Sequence, residues 1–271
     1  VNRDELERAI KAACANIEEG QVIVFGSQSI LGTYDETELP EYATLSREVD
    51  VFPRSGIEDP QSPELVEKIY TINARLGEGS PFHEHHGIYV EGIHKDVVVL
   101  PKHWDNRLVA VTVDDGSVYG RTGYCLDPVD LCASKAVAGR EKDHVFVSKL
   151  VENGIVTPRE ILDRIDRGIE WPDTYTHNRE LAVERARNWL EHLELRSDGQ
   201  AHVGTAPELS VPAPARTVEL GETTTTPDES SGHPWTLRQM LKGQSGRAAD
   251  TERGPVPDDS SGRDRGTDLG R

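Results

Sequence analysis

The 271-residue chain is short of what builds a large core: 35% of its residues are hydrophobic and 6% aromatic. That shortage is concentrated. From Glu194 onward the residues are mainly Pro, Gly, Ser, Thr, Asp and Arg, with hardly any apolar clusters. Such a composition buries too little surface to offset the entropy of ordering. Residues 194–271 therefore read as a disordered tail, and residues 1–193 as a folded part of ordinary single-domain size. Cysteine is scarce as well. Cys14, Cys125 and Cys132 make an odd count without regular spacing, which argues against a disulfide framework. No apolar run approaches a membrane span, and the N-terminus has a charged helix pattern in place of a signal sequence. A reducing cytoplasm is the expected compartment, with no membrane partner.

Positive charge is the other shortage. The formal net charge is −18, and residues 1–193 hold 35 of the 48 acidic side chains against 21 of the 30 basic ones. An acidic domain does not coat nucleic acid non-specifically, although a local basic site stays open.

What is present is strong periodicity. Leu6, Ile10, Ala13 and Ile17 recur at helical spacing, with Gly20 beyond them. Residues 21–25 predict a short apolar strand ending in Gly26-Ser27, with a short helix opening at Ser29. Polar residues 33–45 read as a loop around Pro40. Residues 48–52 predict a strand closed by Pro53, and Pro63–Leu76 a helix. Residues 87–91, 94–100 and 108–113 are rich in Val and Ile and predict strands, with another strand or hairpin arm at 116–124. Asp127-Pro128-Val129-Asp130 is an N-cap with proline at the first helical position. Further helices are expected at 141–152, after the Thr157-Pro158-Arg159-Glu160 capping box, and at 180–193. There is no internal repeat. The layout predicts an α+β fold, with a mixed sheet and flanking helices in 1–126 and a helical subdomain in 127–193.

Chemistry is concentrated in Ser46-Arg47-Glu48-Val49-Asp50-Val51-Phe52. On a strand Glu48 and Asp50 point to one face, where like charges repel unless one protonates or a cation lies between them. Hard oxygen ligands suit Mg²⁺ or Mn²⁺. Asp96, in the apolar run after His94, offers a third acid, and three carboxylates would make a clamp for phosphoryl chemistry. The Gly26-Ser27 turn at a strand end is a ready anion cradle. His83, His85, His86 and His94 crowd around Glu84 and Glu91, a set that would suit zinc or nickel. His85 and His86 are adjacent and point apart in extended chain, so a polar loop is the plainer reading. In the tail, Trp235, Leu237, Met240 and Leu241 could form one face of a short helix within 233–243, an interaction motif for an unknown partner.

A strand, a Gly-Ser turn into a helix, an acid-x-acid strand and a later strand acid together resemble the polymerase-β-like nucleotidyltransferase superfamily. Asp127 to Val156, with Asp130-Leu131, then Lys135, then Arg140-Glu141-Lys142-Asp143, resembles the helical segment of the abortive-infection nucleotidyltransferase toxins. The resemblance spans about residues 20–156. It implies an enzyme that moves a nucleoside monophosphate from an NTP to a hydroxyl, with Mg²⁺ or Mn²⁺ as cofactor. It also implies the roles. Gly26 and Ser27 would contact the triphosphate, and Glu48, Asp50 and Asp96 would hold the metal, with Asp96 as general base. Lys135, and less directly Arg140 or Lys142, would neutralise phosphates, while Asp143 would pair internally. The implied acceptor is RNA, such as the end of tRNA, which would make the chain a toxin with an antitoxin protein as partner. The alternative is a catalytically inactive copy of the fold serving as a binding or scaffold module.

Overall fold

The computed structural model describes residues 1–114, 116 and 120–201. Asn2 opens helix α1 (Arg3–Asn16) with a capping box closed by Glu5, and Leu6, Ala9, Ile10, Ala13 and Cys14 bury one face of the helix. Strand β1 (Gln21–Val24) follows, then a 3-10 helix over Ser27–Gly32. The polar stretch expected as a loop contains two short elements. Asp35 caps a 3-10 turn at Glu36–Glu38, and α2 (Glu41–Thr44) adds one helical turn. Next come β2 (Glu48–Pro53), α3 (Pro63–Leu76), α4 (Pro81–His86) and β3 (Tyr89–Gly92). Ser80 caps α4 and Pro81 starts it, so the run from His83 to His86 is helical where the sequence read as a loop.

The strand expected at 94–100 does not form. His94 Nδ1 accepts from the Asp96 N–H, and the N–H groups of Val97 and Val98 turn back to His94 and Lys95. These local bonds close a 3-10 turn at Lys95–Val97 and leave only β4 (Leu100–Pro101) extended. The remaining elements are β5 (Val109–Val113), β6 (Arg121–Cys125), α5 (Pro128–Ala138), α6 (Glu141–Glu152), α7 (Pro158–Asp166), β7 (Ile169–Glu170) and α8 (Arg179–Ala201). Helix α8 continues past residue 193, where the folded part was expected to end. The 233–243 motif lies outside the described residues.

Five strands form one mixed sheet in the order β3-β2-β1-β6-β5, and β4 pairs with β7 in a separate ribbon. β1 is antiparallel to β2 and parallel to β6, while β2 and β3 are parallel. The α+β class with a mixed sheet and flanking helices is as the sequence predicts. α1 and α3 press on one face. Ile10 stands where a side chain on Gly123 would go, and Ile69 and Ile72 do the same at Gly92. On the other face Phe25 meets Phe52 at 6.0 Å and Trp104 at 5.4 Å between ring centroids. No helix among the described residues is long and apolar enough to cross a membrane.

The helical half is joined to the strands through a buried acid. Asp130 on α5 accepts from Arg107 Nε at 2.8 Å and Nη2 at 2.9 Å, and from Arg164 on α7. Removing one partner of a buried ion network leaves the others uncompensated, which typically costs about 3–5 kcal/mol. Asp130→Ala should therefore lower the urea unfolding midpoint sharply. An unchanged midpoint would show that the network contributes nothing.

Candidate metal centre

Strand geometry makes the site. Glu48 and Asp50, two apart on β2, share a face, while Val49 and Val51 are buried on the opposite one. β3 lies parallel beside β2, with Tyr89 opposite Glu48 and Glu91 opposite Asp50. Side chains opposite each other on neighbouring strands share a face, so Glu91 joins the two acids. One oxygen from each of Glu48, Asp50 and Glu91 lies within 4.8 Å of the others, and among the described residues this is the one such acid, histidine or cysteine group that could hold a cation.

The acid brought to Glu48 and Asp50 is thus Glu91, and Asp96 is elsewhere. Asp96 sits in the 3-10 turn beyond β3, 3.2 Å from Lys95 Nζ and 3.5 Å from His94 Nδ1. Its carbonyl accepts from the Thr174 hydroxyl at 2.6 Å. The Val- and Ile-rich run at 87–91 did signal a strand. Its register against β2, which alone makes Glu91 a neighbour of Asp50, is a tertiary property.

β1 brings the glycine turn to the same place. Phe25 N–H donates to Asp50 O at 3.0 Å, extending the β1–β2 ladder. Gly26 then turns at φ +49° into the 3-10 helix that Ser27 begins. A Cβ on Gly26 would stand 1.8 Å from Asp50 Oδ2, so both the angle and the space demand glycine. Beside the turn, Gln28 Nε2 donates to Ser46 O at 3.4 Å, while its buried Oε1 has no hydrogen-bond partner among the described residues.

Burial pushes the Glu48 carboxyl from its ordinary 4.5 up to about 10, reinforced by Asp50 and by a hydrogen bond and charge from Glu91. Lys142 on α6 pulls it the other way. Without a cation Glu48 therefore keeps its proton at neutral pH, which lets it donate to Glu91. Burial and then the charge of Glu48 also hold the Tyr89 phenol above its usual range. The Tyr89 ring packs on His83 at 5.1 Å, and His83 Nδ1 accepts from the Gly79 N–H. The histidines form no metal cluster among the described residues.

The cations sort differently from the expectation. Lys135 Nζ bonds Asp143 at 2.9 Å and lies 4.7 Å from the Phe146 ring centroid. Arg140 Nε bonds the other Asp143 oxygen at 2.5 Å. Burial alone would raise the Asp143 carboxyl, but Lys135 and then Arg140 outweigh it and hold it below the usual range. Both cations are occupied within this triad, as Asp143 was expected to be. Lys142, one residue from Asp143, is the cation felt by Glu48. Its signal in the sequence was no stronger than that of its charged neighbours. Cys125 and Cys132 are buried, with thiols pushed up to about 12, and none of the three cysteines is in a disulfide.

No family model, curated protein or solved structure matches the chain. The geometry itself defines the chemistry. Three converging carboxylates are a hard-donor set suited to Mg²⁺, Mn²⁺ or Ca²⁺.

A pH dependence follows. In the metal-free protein Glu48 ionises near 4.5 when unfolded and near 10 when folded. Between these values the unfolded state binds fewer protons, so stability falls as pH rises through that window. Glu48→Gln keeps the shape and removes the ionisation. In the presence of a chelator its melting temperature should fall less than that of the wild type between about pH 6 and pH 9. Equal slopes for the two proteins would show that Glu48 is not held protonated.

Proposed function

We propose that the chain is a metal-dependent nucleotidyltransferase that moves a nucleoside monophosphate from an NTP to a hydroxyl and releases pyrophosphate. The observation that carries the proposal is the meeting of three carboxylates from two adjacent strands with a glycine turn pressed against the middle one. A bound Mg²⁺ or Mn²⁺ would neutralise triphosphate charge and acidify the attacking hydroxyl. Glu48, Asp50 and Glu91 would hold it, with Glu48 giving up its proton as it binds. The backbone N–H groups that follow Gly26 suit phosphate oxygens, and the missing side chain lets the turn close against Asp50. Ser27 adds a hydroxyl donor. Lys142 faces the same charge from α6, in the role the resemblance gave chiefly to Lys135. Glu91, partly exposed, takes the proton of the attacking hydroxyl, in place of Asp96. The resemblance alone supports RNA, such as the end of tRNA, as acceptor and an antitoxin protein as partner.

A second reading has one observation in its favour. Glu48 holds a proton where a metal ligand must be ionised, which also suits an inactive copy of the fold retained for binding.

Two measurements separate the readings. Asp50→Asn removes one ligand while relieving repulsion, so labelled-nucleotide incorporation should vanish and the fold should persist. In the wild type, Mg²⁺ with an NTP should raise the melting temperature more than either alone. Saturation at 100 times Kd stabilises by about 2.7 kcal/mol. Lys142→Ala should weaken the joint shift without removing it. No shift with any of the four nucleotides plus Mg²⁺ or Mn²⁺ would establish the inactive reading.

A further inference from the structure

An open sheet has two edges, where backbone N–H and C=O groups point outward and meet no strand. In the order β3-β2-β1-β6-β5 these edges are β3 and β5, and the protein treats them differently. The N–H groups of Tyr89 and Ile93 donate to Arg47 O and Val51 O, so the backbone groups of Val90 and Gly92 face away from β2. Asn73 on α3 caps that edge. Its Oδ1 accepts from Gly92 N–H at 2.8 Å, and its Nδ2 donates to Gly92 O at 2.9 Å.

β5 has no such cap. Thr122 N–H donates to Gly20 O and Leu126 N–H to Val24 O, so the even-numbered residues of β6 turn their backbone groups to β1. Arg121, Gly123 and Cys125 therefore turn theirs to β5, where they stand opposite Val113, Val111 and Val109. That leaves the backbone groups of Ala110 and Thr112 pointing outward. Both residues are exposed, and among the described residues no group bonds their N–H or C=O.

Native edges are normally guarded by charge, proline or a bulge. Val109-Ala110-Val111-Thr112-Val113 contains no charged residue and no proline, and its pairing with β6 is unbroken over the whole strand. The flanking charges are engaged elsewhere, Arg107 on Asp130 and Asp114 on the Gly116 N–H at 2.8 Å. The strand is also its own complement. In an antiparallel pair centred on Val111, Ala110 lies opposite the partner's Thr112. Both present free backbone groups, so they exchange N–H···O bonds, and the two-fold axis repeats the exchange. Val109 then meets the partner's Val113 and Val111 the partner's Val111, on the face that α1 covers through Ile10 and Gly123. Such a strand offers no charge for the side chains of a different partner to read.

We propose that β5 is a self-association edge, through which two copies of the chain pair antiparallel along Val109–Val113 and join their sheets into one. This stands independently of the nucleotidyl-transfer reading.

The test is the mass of the full chain in sedimentation over a dilution series. The wild type should be a dimer that dissociates on dilution, because the strand is short. Ala110→Lys with Thr112→Lys sets like charges directly opposite one another across the contact, and should raise the dissociation constant about tenfold or more. Both side chains are exposed, so circular dichroism should not change. Ala110→Glu with Thr112→Glu should dissociate the dimer in the same way. A one-to-one mixture of the two variants should restore it, since each Lys then faces a Glu. A wild type that stays monomeric throughout, as expected if the edge takes a segment of another protein, overturns the proposal. So does a dimer that survives the lysine substitutions, or a mixture that remains monomeric. Should the lysine variant fail to fold, the glutamate variant decides, and unchanged association there overturns the proposal too.

Discussion

The repulsion among Glu48, Asp50 and Glu91 constrains the strands that carry them. Isolated carboxylates leave water only at high cost, yet here three approach within 4.8 Å and Asp50 is 5% exposed. The backbone leaves them no way apart. Parallel pairing of β2 and β3 sets Asp50 against Glu91, and the apolar side chains Val49, Val51 and Val90 pin the opposite face against the helical layer. A slip of one residue would turn the acids into that layer and the valines out, so the core that fixes the register also fixes the clash. In the metal-free state the proton on Glu48 lowers the cost. A cation would replace it.

The neighbouring turn obeys the same crowding. Asp50 fills the space that any side chain at Gly26 would need, so the glycine and the acid are one steric unit although they are far apart in sequence. Because the turn leaves β1 beside Asp50, backbone N–H groups and carboxylates come to the same spot without a loop having to find it.

The helical half shows how an acidic chain distributes its few cations. Arg107 and Arg164 serve Asp130, and Lys135 and Arg140 serve Asp143. Buried acids hold these cations inside the fold, where ion pairs are least screened. The stack of His144 on Trp189, 4.2 Å apart between centroids and nearly parallel, ties α6 to α8 and so helps hold in place the helix that bears Lys142. The cation nearest in effect to the carboxylates is therefore positioned by packing.

Local signals determined much of this protein. Helical periodicity, N-cap residues and proline at the first helical position located the starts of α5 and α7 and both ends of α3 and α6, because each depends on contacts within a few positions. The pairing of Glu48 with Asp50 was equally legible, since alternation on a strand is a local rule. What sequence could not supply was register and phase. Glu91 and Asp96 both border apolar runs, and only the alignment of β3 with β2, together with the turn that His94 imposes, brings in one and leaves out the other. Lys135, Arg140 and Lys142 are alike as cations in or beside α5 and α6. Buried Asp143 captures the first two, and only three-dimensional packing brings the third to bear on Glu48.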